Sequence, residues 1–281
     1  MPGIPFKQVD VFTGVRFKGN PVAVVLAADT LTTEQMQRVA NWTNLSETTF
    51  VVAPASSTAD YRVRIFTPAA ELPFAGHPTV GTAHALMEAG LIRPKHGALV
   101  QECGAGPINL KVEELPDGQW ISFELPQPSA TPLSDSRVAE IEGMLGVAVS
   151  HEHAPCLIDV GVRWVVAQVR DAQVVLSARP DLQCMASTDL DAEGVVIFGE
   201  YPAGSQARIE VRAFAPRQGV NEDPVCGSGN GCVAAFIRHT GQTPHFGAEY
   251  VASQGAVLGR AGRIRLSIGE SSISVGGQAV T

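Results

Sequence analysis

Short apolar and β-branched runs, separated by turn residues, dominate the chain. Their lengths and their alternation of apolar and polar positions predict strands. In the first half the predicted strands cover residues 7–12, 21–27, 48–53, 61–66, 109–113 and 120–125. In the second half they cover residues 162–169, 194–198, 207–213, 250–253, 263–268 and 272–275.

Four segments show helical spacing of their apolar positions. Residues 32–44 begin with Thr32 and Gln35, which fit a capping box. Residues 137–145 form a second amphipathic segment. Residues 78–89 and 228–239 differ from these because they carry almost no charge, which predicts two helices buried on all sides. The mixture of strands and helices predicts an α/β (α+β) fold.

The two halves of the chain repeat one another. Arg-Ile-Phe-Thr-Pro at 64–68 matches Arg-Ala-Phe-Ala-Pro at 212–216, 148 positions later. Glu-Leu-Pro-Phe-Ala-Gly at 71–76 matches Glu-Asp-Pro-Val-Cys-Gly at 222–227, 151 positions later. Each pair of blocks leads into one of the uncharged helices. We therefore expect two domains of like topology, residues 1–125 and 137–281, with a ligand cleft between them.

The segment between the two halves is rich in turn residues. Residues 126–136 contain three prolines and three serines, which makes them the best candidate for a linker.

Each uncharged helix starts after a Gly/Pro-rich turn. Unpaired N–H groups at a helix start attract anions, and Gly76 and Gly227 allow a close approach of the backbone. Either glycine alone is better explained by a tight turn. The symmetric pair favours binding of a carboxylate by both helix starts.

Composition narrows the possible classes of protein. The chain has 281 residues, 45% of them hydrophobic and 17% charged, with a formal net charge of −8. This balance excludes global disorder and argues against a nucleic-acid partner. The longest uncharged runs are too short for a membrane span, and the first residues contain no apolar signal region. Five scattered cysteines without a Cys-x-x-Cys pair argue against a disulfide framework and favour the cytoplasm.

Motifs for phosphate, nucleotide and metal binding are incomplete. The glycine-rich stretch at 76–81 is followed by Thr82 where a P-loop needs lysine. The stretch at 227–231 lacks the Gly-x-Gly-x-x-Gly spacing of dinucleotide sites. His77 and His84, seven apart, and Cys226 and Cys232, six apart, do not have usual metal-ligand spacing. We therefore expect neither a cofactor nor a metal.

Three longer motifs resemble those of one known family. Asn-Leu-Ser-Glu-Thr-Thr-Phe at 44–50, the block at 71–86 and the block at 222–236 strongly resemble the PhzF family of phenazine-biosynthesis-like isomerases. The resemblance extends over nearly the whole chain. It implies the diaminopimelate epimerase fold, in which two pseudo-symmetric domains each wrap a curved sheet around a central helix. It also implies a homodimer and a last strand, near 272–275, that crosses back to the first domain.

The resemblance assigns roles to six residues. Glu47 corresponds to the catalytic acid/base of the family, and His77 and Asp223 are the other catalytic candidates. Gly76, Gly227 and Ser228 are implied to bind the substrate. Without the resemblance, Glu47 and His77 read as turn or packing residues, and Ser228 as a helix N-cap.

One position separates this chain from the related two-cysteine epimerases, which carry a catalytic cysteine at each helix start. Cys226 occupies one such position and Ala75 the other, so a mechanism with two thiols is excluded. The helix dipole at Cys226 is expected to favour the thiolate.

The predicted function is proton transfer on a small carboxylate substrate by a cofactor-independent isomerase. Two alternatives stay open: a racemase or epimerase that uses Cys226 as one base, and a non-catalytic small-molecule binding protein with the same fold.

Overall fold

The computed structural model describes residues 3–281; Met1 and Pro2, part of the stretch searched for a signal peptide, lie outside the described residues. The chain divides into two compact units. The first contains the residues up to Glu124 together with Gly276–Thr281, and the second contains Leu125–Val275.

From residue 3 to Glu124, the first unit contains eight strands and two helices. In chain order they are β1 Phe6–Val11, β2 Asn20–Val25, α1 Thr33–Thr43, β3 Thr48–Val52, β4 Tyr61–Phe66, β5 Glu71–Leu72, α2 Gly76–Glu88, β6 Ala98–Cys103, β7 Gly106–Leu115 and β8 Gly118–Glu124.

The second unit follows and contains more helices than the first. Its elements are β9 Ser129–Pro132, α3 Asp135–Leu145, β10 Cys156–Asp159, β11 Arg163–Gln168, α4 Ala172–Ser177, α5 Leu182–Ser187, β12 Gly194–Glu200, β13 Ile209–Ala215, β14 Val220–Asp223, α6 Gly227–His239, α7 Thr243–Phe246, β15 Glu249–Gln254, β16 Gly262–Ile268 and β17 Ile273–Gly277. The last two residues of β17 already belong to the first unit, and β18 Ala279–Val280 follows there.

Both units have the same strand topology. In the first, β1-β2-β3-β4-β6-β7 are neighbours, and the successive pairs are antiparallel, parallel, antiparallel, parallel and antiparallel. In the second, β10-β11-β12-β13-β15-β16 repeat that order. A short strand, β5 or β14, pairs with the fourth strand of each row. The duplication inferred from sequence is therefore present in the topology.

Helix α2 is the centre of the first unit. It contacts β1, β2, β3 and β8, and its residues His77–Ala83 are buried. The sheet approaches Gly81 so closely that a Cβ atom there would lie 2.4 Å from a Val22 methyl group. A helix packed this tightly on all sides needs small uncharged residues, as its sequence indicates.

Helix α6 has the same position in the second unit. It contacts β9, β10, β11, β12 and β16, and residues Gly229–Ile237 are buried. Helices α1, α3, α4 and α5 cover the other face of the sheet in their own unit. In the first unit Met36 and Ala40 of α1 pack on Phe50 and Phe66. In the second unit α3, α4 and α5 build a larger apolar core on β11, β12 and β13.

The last residues of the chain belong to the first unit. Gly276 lies against Ser122 of β8, and β18 pairs antiparallel with β1. Residues 276–281 therefore run from β8, which pairs with β7, to β1 and close the sheet around α2. The returning segment is 276–281, and residues 272–275 stay in the second unit.

Residues 126–136 are more ordered than a linker. Ser129–Pro132 pairs with β10 along its whole length, and Ser134 caps α3 by accepting a hydrogen bond from the Arg137 N–H. Proline is tolerated at the end of a strand, and serine is a preferred cap. The residue types that suggested a linker therefore end one element and begin the next.

The predicted helices are confirmed with small shifts at their starts. Thr32 and Gln35 form the expected capping box on α1. Helix α2 begins at Gly76, two residues before the prediction, because Pro78 fits within the first turn of a helix. Ser228 is not an N-cap: Cys226 caps α6, and Ser228 lies inside its first turn. The longest helices have 13 residues, and no helix within residues 3–281 has the length and apolar character needed to cross a membrane.

The repeated sequence blocks make the same contact in both units. Arg64 donates two hydrogen bonds to the Glu71 carboxylate, both 2.7 Å, and its guanidinium lies over the Phe66 ring. Arg212 donates two hydrogen bonds of 2.8 Å to Glu222 and lies over Phe214. We call each of these paired Arg–Glu hydrogen bonds a fork. Each fork connects the fourth strand to the segment that leads into the central helix. This shared contact explains why both blocks recur.

The two forks differ in burial. The Arg64 and Glu71 side chains are 24% and 39% exposed, whereas those of Arg212 and Glu222 are 5% and 11% exposed. Arg212 also donates to the Val175 and Ala178 carbonyls.

We predict that Glu222→Gln destabilises the protein by about 3 kcal/mol, because it leaves a buried guanidinium without its counter-charge. The matched variant Glu71→Gln should cost about 1 kcal/mol or less, because water solvates the exposed partner. Urea unfolding followed by circular dichroism measures both losses. Equal losses would show that burial does not distinguish the two forks.

Candidate active site

Glu47 lies at the amino-terminal end of β3. Helix α1 ends at Thr43, Asn44 takes the left-handed conformation at φ 53°, and the chain then turns into β3 at Thr48. Asparagine tolerates this conformation better than most residues. The turn at 44–47 thus places Glu47 at a strand end with its side chain 16% exposed.

His77 is the second residue of α2 and faces Glu47. Its Nε2 lies 3.3 Å from Glu47 Oε2, and the ring is 7% exposed. The ring also hydrogen-bonds the backbone of Pro21, which has only a carbonyl to offer, so the ring nitrogen donates. Burial lowers the pKa of His77 to about 3, against the opposing effect of the Pro21 hydrogen bond. The imidazole is therefore neutral at neutral pH.

A neutral imidazole that donates to Pro21 presents a lone pair on its other nitrogen. That nitrogen is the one that faces Glu47. A protonated Glu47 can donate to it, and an ionised Glu47 can take a proton from a substrate. The pair therefore has the groups needed to hold and release one proton.

Asp223 is the last residue of β14 in the second unit. Its Oδ1 accepts a 3.0 Å hydrogen bond from the Val225 N–H. Burial raises the pKa of Asp223 to about 6, and the nearby charge of Glu222 acts in the same direction. The hydrogen bonds with Cys226 and Val225 oppose the shift. Asp223 is therefore mostly ionised at pH 7 and takes up a proton in mild acid.

Cys226 is a buried thiol at the start of α6. Its Sγ accepts a 3.2 Å hydrogen bond from the Gly229 N–H and thereby caps the helix. Burial raises the pKa of Cys226 well above its ordinary value, and the charge of Asp223 raises it further. The expectation that the helix dipole favours the thiolate is therefore wrong, because desolvation and Asp223 outweigh the dipole.

Ser228 is held by a residue that sequence reasoning did not assign to the site. The indole Nε1 of Trp164 donates a 3.1 Å hydrogen bond to Ser228 Oγ. The hydroxyl oxygen keeps a second lone pair, and its proton can be donated to a ligand or to the Cys226 Sγ atom 3.5 Å away. Trp164 lies 64 positions before Ser228, so residue spacing gave no signal of this contact.

Strand register identifies the matching positions of the two units. Phe66 and Phe214 are matching residues of the repeated blocks. Phe66 pairs with Thr48 and Phe214 pairs with Val195, so Thr48 matches Val195, and the residues before them, Glu47 and Gly194, also match. A Cβ atom at Gly194 would lie 1.8 Å from the Phe214 carbonyl oxygen, so this position has no room for a side chain. The second unit therefore cannot carry a base where the first has Glu47.

The other matched positions also differ. Leu72 corresponds to Asp223, because Ile65 pairs with Leu72 and Ala213 pairs with Asp223. At the helix starts, the N-cap is Ala75 in one unit and Cys226 in the other. The second helical residue is His77 or Ser228. Each unit thus carries one carboxylate that the other lacks.

The first turns of the two helices leave N–H groups for an anion. Ala75 has no side chain with which to cap α2, and Pro78 has no N–H, so Gly76 and His77 supply the free donors. In α6 the Cys226 thiol takes the Gly229 N–H, and Gly227 and Ser228 precede it. Gly76 also has a packing reason to be glycine, because a Cβ atom there would lie 2.8 Å from the Phe123 ring.

The structure brings Glu47 and His77 together in the first unit, and Asp223, Cys226 and Ser228 together in the second. Within residues 3–281 no group of three or more His, Cys, Asp and Glu side chains is arranged to hold a metal ion.

Residues 9–281 match the sequence profile of the PhzC-PhzF family, described as phenazine biosynthesis-like protein. The chain belongs to the PhzF family.

Relatives of this PhzF protein span nearly its whole length. It is 43% identical to antisense-enhancing sequence 1 of Schizosaccharomyces pombe, with 98% of this chain and 96% of the relative covered. It is 36% identical to the trans-2,3-dihydro-3-hydroxyanthranilate isomerase of Pseudomonas fluorescens, with 90% and 86% covered.

Solved structures agree with the expected fold of this PhzF chain. The PhzF-family phenazine biosynthesis protein of Bacillus anthracis superposes with a TM-score of 0.88 at 27% identity, covering 100% of this chain and 97% of that one. A probable proline racemase of Agrobacterium radiobacter, 11% identical, shares the fold with a TM-score of 0.65 over 99% and 91% of the chains. The prediction of a diaminopimelate epimerase-like fold is confirmed.

The low pKa of His77 predicts how stability depends on pH. Between pH 6.5 and 3 the unfolded chain binds the histidine proton and the folded chain does not, so stability falls as the pH falls. From pH 7 to 4.5 this group alone should cost about 2–3 kcal/mol. His77→Gln removes the effect, so the variant should lose less stability over this range than the wild type. Urea unfolding at both pH values gives the difference, in which pH-independent effects of the substitution cancel. Parallel losses in the two proteins would contradict a neutral buried His77.

Proposed function

We propose that this PhzF-type isomerase moves a proton between carbon atoms of a small carboxylate substrate without a cofactor. The observation that carries the proposal is the Glu47–His77 pair, in which a carboxylate faces a buried neutral imidazole at 3.3 Å. An isomerisation by proton transfer needs one group that first takes a proton and then returns it. Glu47 is the proposed shuttle.

His77 is the proposed partner of Glu47 in this step. Because its ring stays neutral, it does not hold Glu47 permanently ionised by a positive charge. The lone pair that faces the carboxyl group can accept a hydrogen bond from the protonated form of Glu47. His77 therefore supports the state in which Glu47 carries the substrate's proton.

Asp223 and Ser228 are the proposed partners of the substrate's polar groups, with the N–H groups at Gly76 and Gly227 as donors for its carboxylate. Asp223 is an acceptor when ionised, and the Ser228 hydroxyl can donate its proton or accept through its second lone pair. A substrate with a carboxylate and a neighbouring hydrogen-bond donor suits this set. The isomerase of Pseudomonas fluorescens is named for such a compound, a hydroxyanthranilate derivative.

Two alternatives make different demands on the residues. An epimerase that uses Cys226 as a base needs a thiolate, and burial raises the pKa of this thiol. A non-catalytic binding protein needs no proton shuttle; the S. pombe relative, named for antisense enhancement, carries a name that states no reaction. Turnover of a substrate separates this last alternative from the other two.

We predict that Glu47→Gln abolishes proton transfer and leaves the fold intact. The test is turnover of trans-2,3-dihydro-3-hydroxyanthranilate in D₂O, with deuterium incorporation read by mass spectrometry. Loss of general acid–base catalysis should lower the rate by at least about 10²-fold. Glu193→Gln is the matched control, since it removes a carboxylate one residue before Gly194, the counterpart of Glu47. A Glu47→Gln variant with wild-type exchange would remove Glu47 from the mechanism.

We also predict that Cys226→Ala retains proton transfer. The variant loses the cap on the Gly229 N–H and should be less stable by about 1 kcal/mol. Cys226→Ser supplies another capping oxygen and should recover part of this stability. Deuterium incorporation and thermal unfolding of both variants provide the measurements. Loss of exchange in both, with the fold retained, would favour the epimerase that uses Cys226.

A further inference from the structure

Gln254 is a buried glutamine at the end of β15, only 1% exposed. Its amide makes three hydrogen bonds to the region that carries Asp223 and begins α6. The Nε2 group donates to the Asp223 carbonyl at 2.8 Å. The Oε1 atom accepts from the Cys226 N–H at 3.0 Å and from Asn230 Nδ2 at 2.7 Å. One side chain thus holds both ends of the turn 223–226 and the first turn of the helix.

The turn is also pressed against the backbone next to Gln254. A Cβ atom at Gly255 would lie 2.4 Å from the Pro224 carbonyl oxygen. A Cβ atom at Gly262 would lie 2.6 Å from the Val225 methyl groups. Because Gly255 and Gly262 have no side chains, the turn can pack directly against the backbone at these two positions. Packing therefore fixes how far the turn lies from the sheet, and the hydrogen bonds of the Gln254 amide fix its position along β15.

The first unit has no such amide. Tyr61 and Ile209 occupy matching positions, 148 residues apart like the Arg-x-Phe-x-Pro blocks. Tyr61 pairs with Gln101 and Ile209 pairs with Ala252, so the residues two positions later, Cys103 and Gln254, also match. The corresponding turn, residues 72–75, is held by a backbone hydrogen bond from the Ala105 N–H to the Pro73 carbonyl at 3.0 Å. Gln254 is therefore specific to the unit that carries Asp223 and is not a general requirement of the fold.

We propose that Gln254 is the positioning residue of the second unit: its amide holds Asp223 and the start of α6 in the geometry that binds the substrate's polar groups. The substrate-binding part of this inference rests on the function proposed above. Without the amide, the Asp223 carbonyl and the Cys226 N–H lose their partner. The turn then loosens at both ends, although Asn230 still donates to the Cys226 carbonyl.

The test compares Gln254→Met with Gln101→Met. Methionine has nearly the volume of glutamine and removes the hydrogen bonds without opening a large cavity. Gln101 is the matched control, because it is fully buried in the other unit and makes two side-chain hydrogen bonds, with Tyr61 and Thr79, without touching a proposed site residue. Similar losses of overall stability are expected in both variants.

Two local measurements distinguish positioning from general stability. Amide hydrogen exchange in the peptide that contains Cys226 should become about tenfold faster in Gln254→Met, the factor that one net hydrogen bond contributes. Alkylation of Cys226 by iodoacetamide, followed by peptide mass spectrometry, should accelerate similarly. Gln101→Met should leave both rates at the wild-type value. Equal rates in the two variants would overturn the proposal.

Kinetics test the consequence for the substrate. With trans-2,3-dihydro-3-hydroxyanthranilate, Gln254→Met should raise KM about tenfold and change kcat less, since Glu47 is untouched. Burial keeps the carboxyl group of Gln254→Glu protonated, so it offers a carbonyl acceptor for Cys226 and Asn230 and an O–H donor for the Asp223 carbonyl. Its KM should therefore fall between that of Gln254→Met and that of the wild type. It also serves if Gln254→Met does not fold. A wild type that fails to act on the probe would count against the proposed function alone, because exchange and alkylation still decide the role of Gln254.

Discussion

The fold depends on two helices that are enclosed by strands on all sides. Buried residues of α2 and α6 must be uncharged, and where the surrounding side chains come closest, at Gly81 and Gly231, there is no room for a side chain. Polar chemistry is therefore restricted to the ends of these helices. The turns before Gly76 and Gly227 are where the chain comes out of the core, and each is tied to the sheet by an Arg–Glu fork. The candidate site follows from this constraint, since the helix starts combine unpaired N–H groups with a rigid support.

The two units share the contacts that support the starts of α2 and α6, and they differ in the side chains at the candidate site. The forks at Arg64 and Arg212 and the strand topology recur in both units. The reactive positions do not: Glu47 matches Gly194, and Asp223 matches Leu72. The change at Gly194 is irreversible by simple substitution, because the Phe214 carbonyl occupies the space of a side chain. A symmetric mechanism with equivalent bases in both units is thus excluded by backbone packing as well as by the missing thiol at Ala75.

Local sequence signals predicted the elements that depend on local physics. The capping box of α1, the strand at 61–66 and the two uncharged helices could be read from residue types and spacing alone. The short strands β5, β14 and β18 could not, because they exist only through pairing with distant segments. The roles of Trp164 and Gln254 were missed for the same reason, since each contacts residues far along the chain. The ionisation of Cys226 was mispredicted because a helix start is visible in sequence, whereas burial beside Asp223 is not.

The pKa values of His77 and Asp223, two titratable groups of the proposed site, shift in opposite directions. The pKa of His77 falls to about 3, so its ring stays neutral even in mild acid, and the pKa of Asp223 rises to about 6, so its carboxyl group is mostly ionised above that pH and mostly protonated below it. Burial is the first cause in both cases, because it disfavours the charged form of either group. Near neutral pH the proposed site thus holds a neutral partner for Glu47 and a charged partner for the substrate. Between pH 6 and 4, Asp223 changes its charge while His77 does not, so the binding group titrates before the shuttle's partner. A loss of activity in this range therefore does not have its origin in protonation of His77.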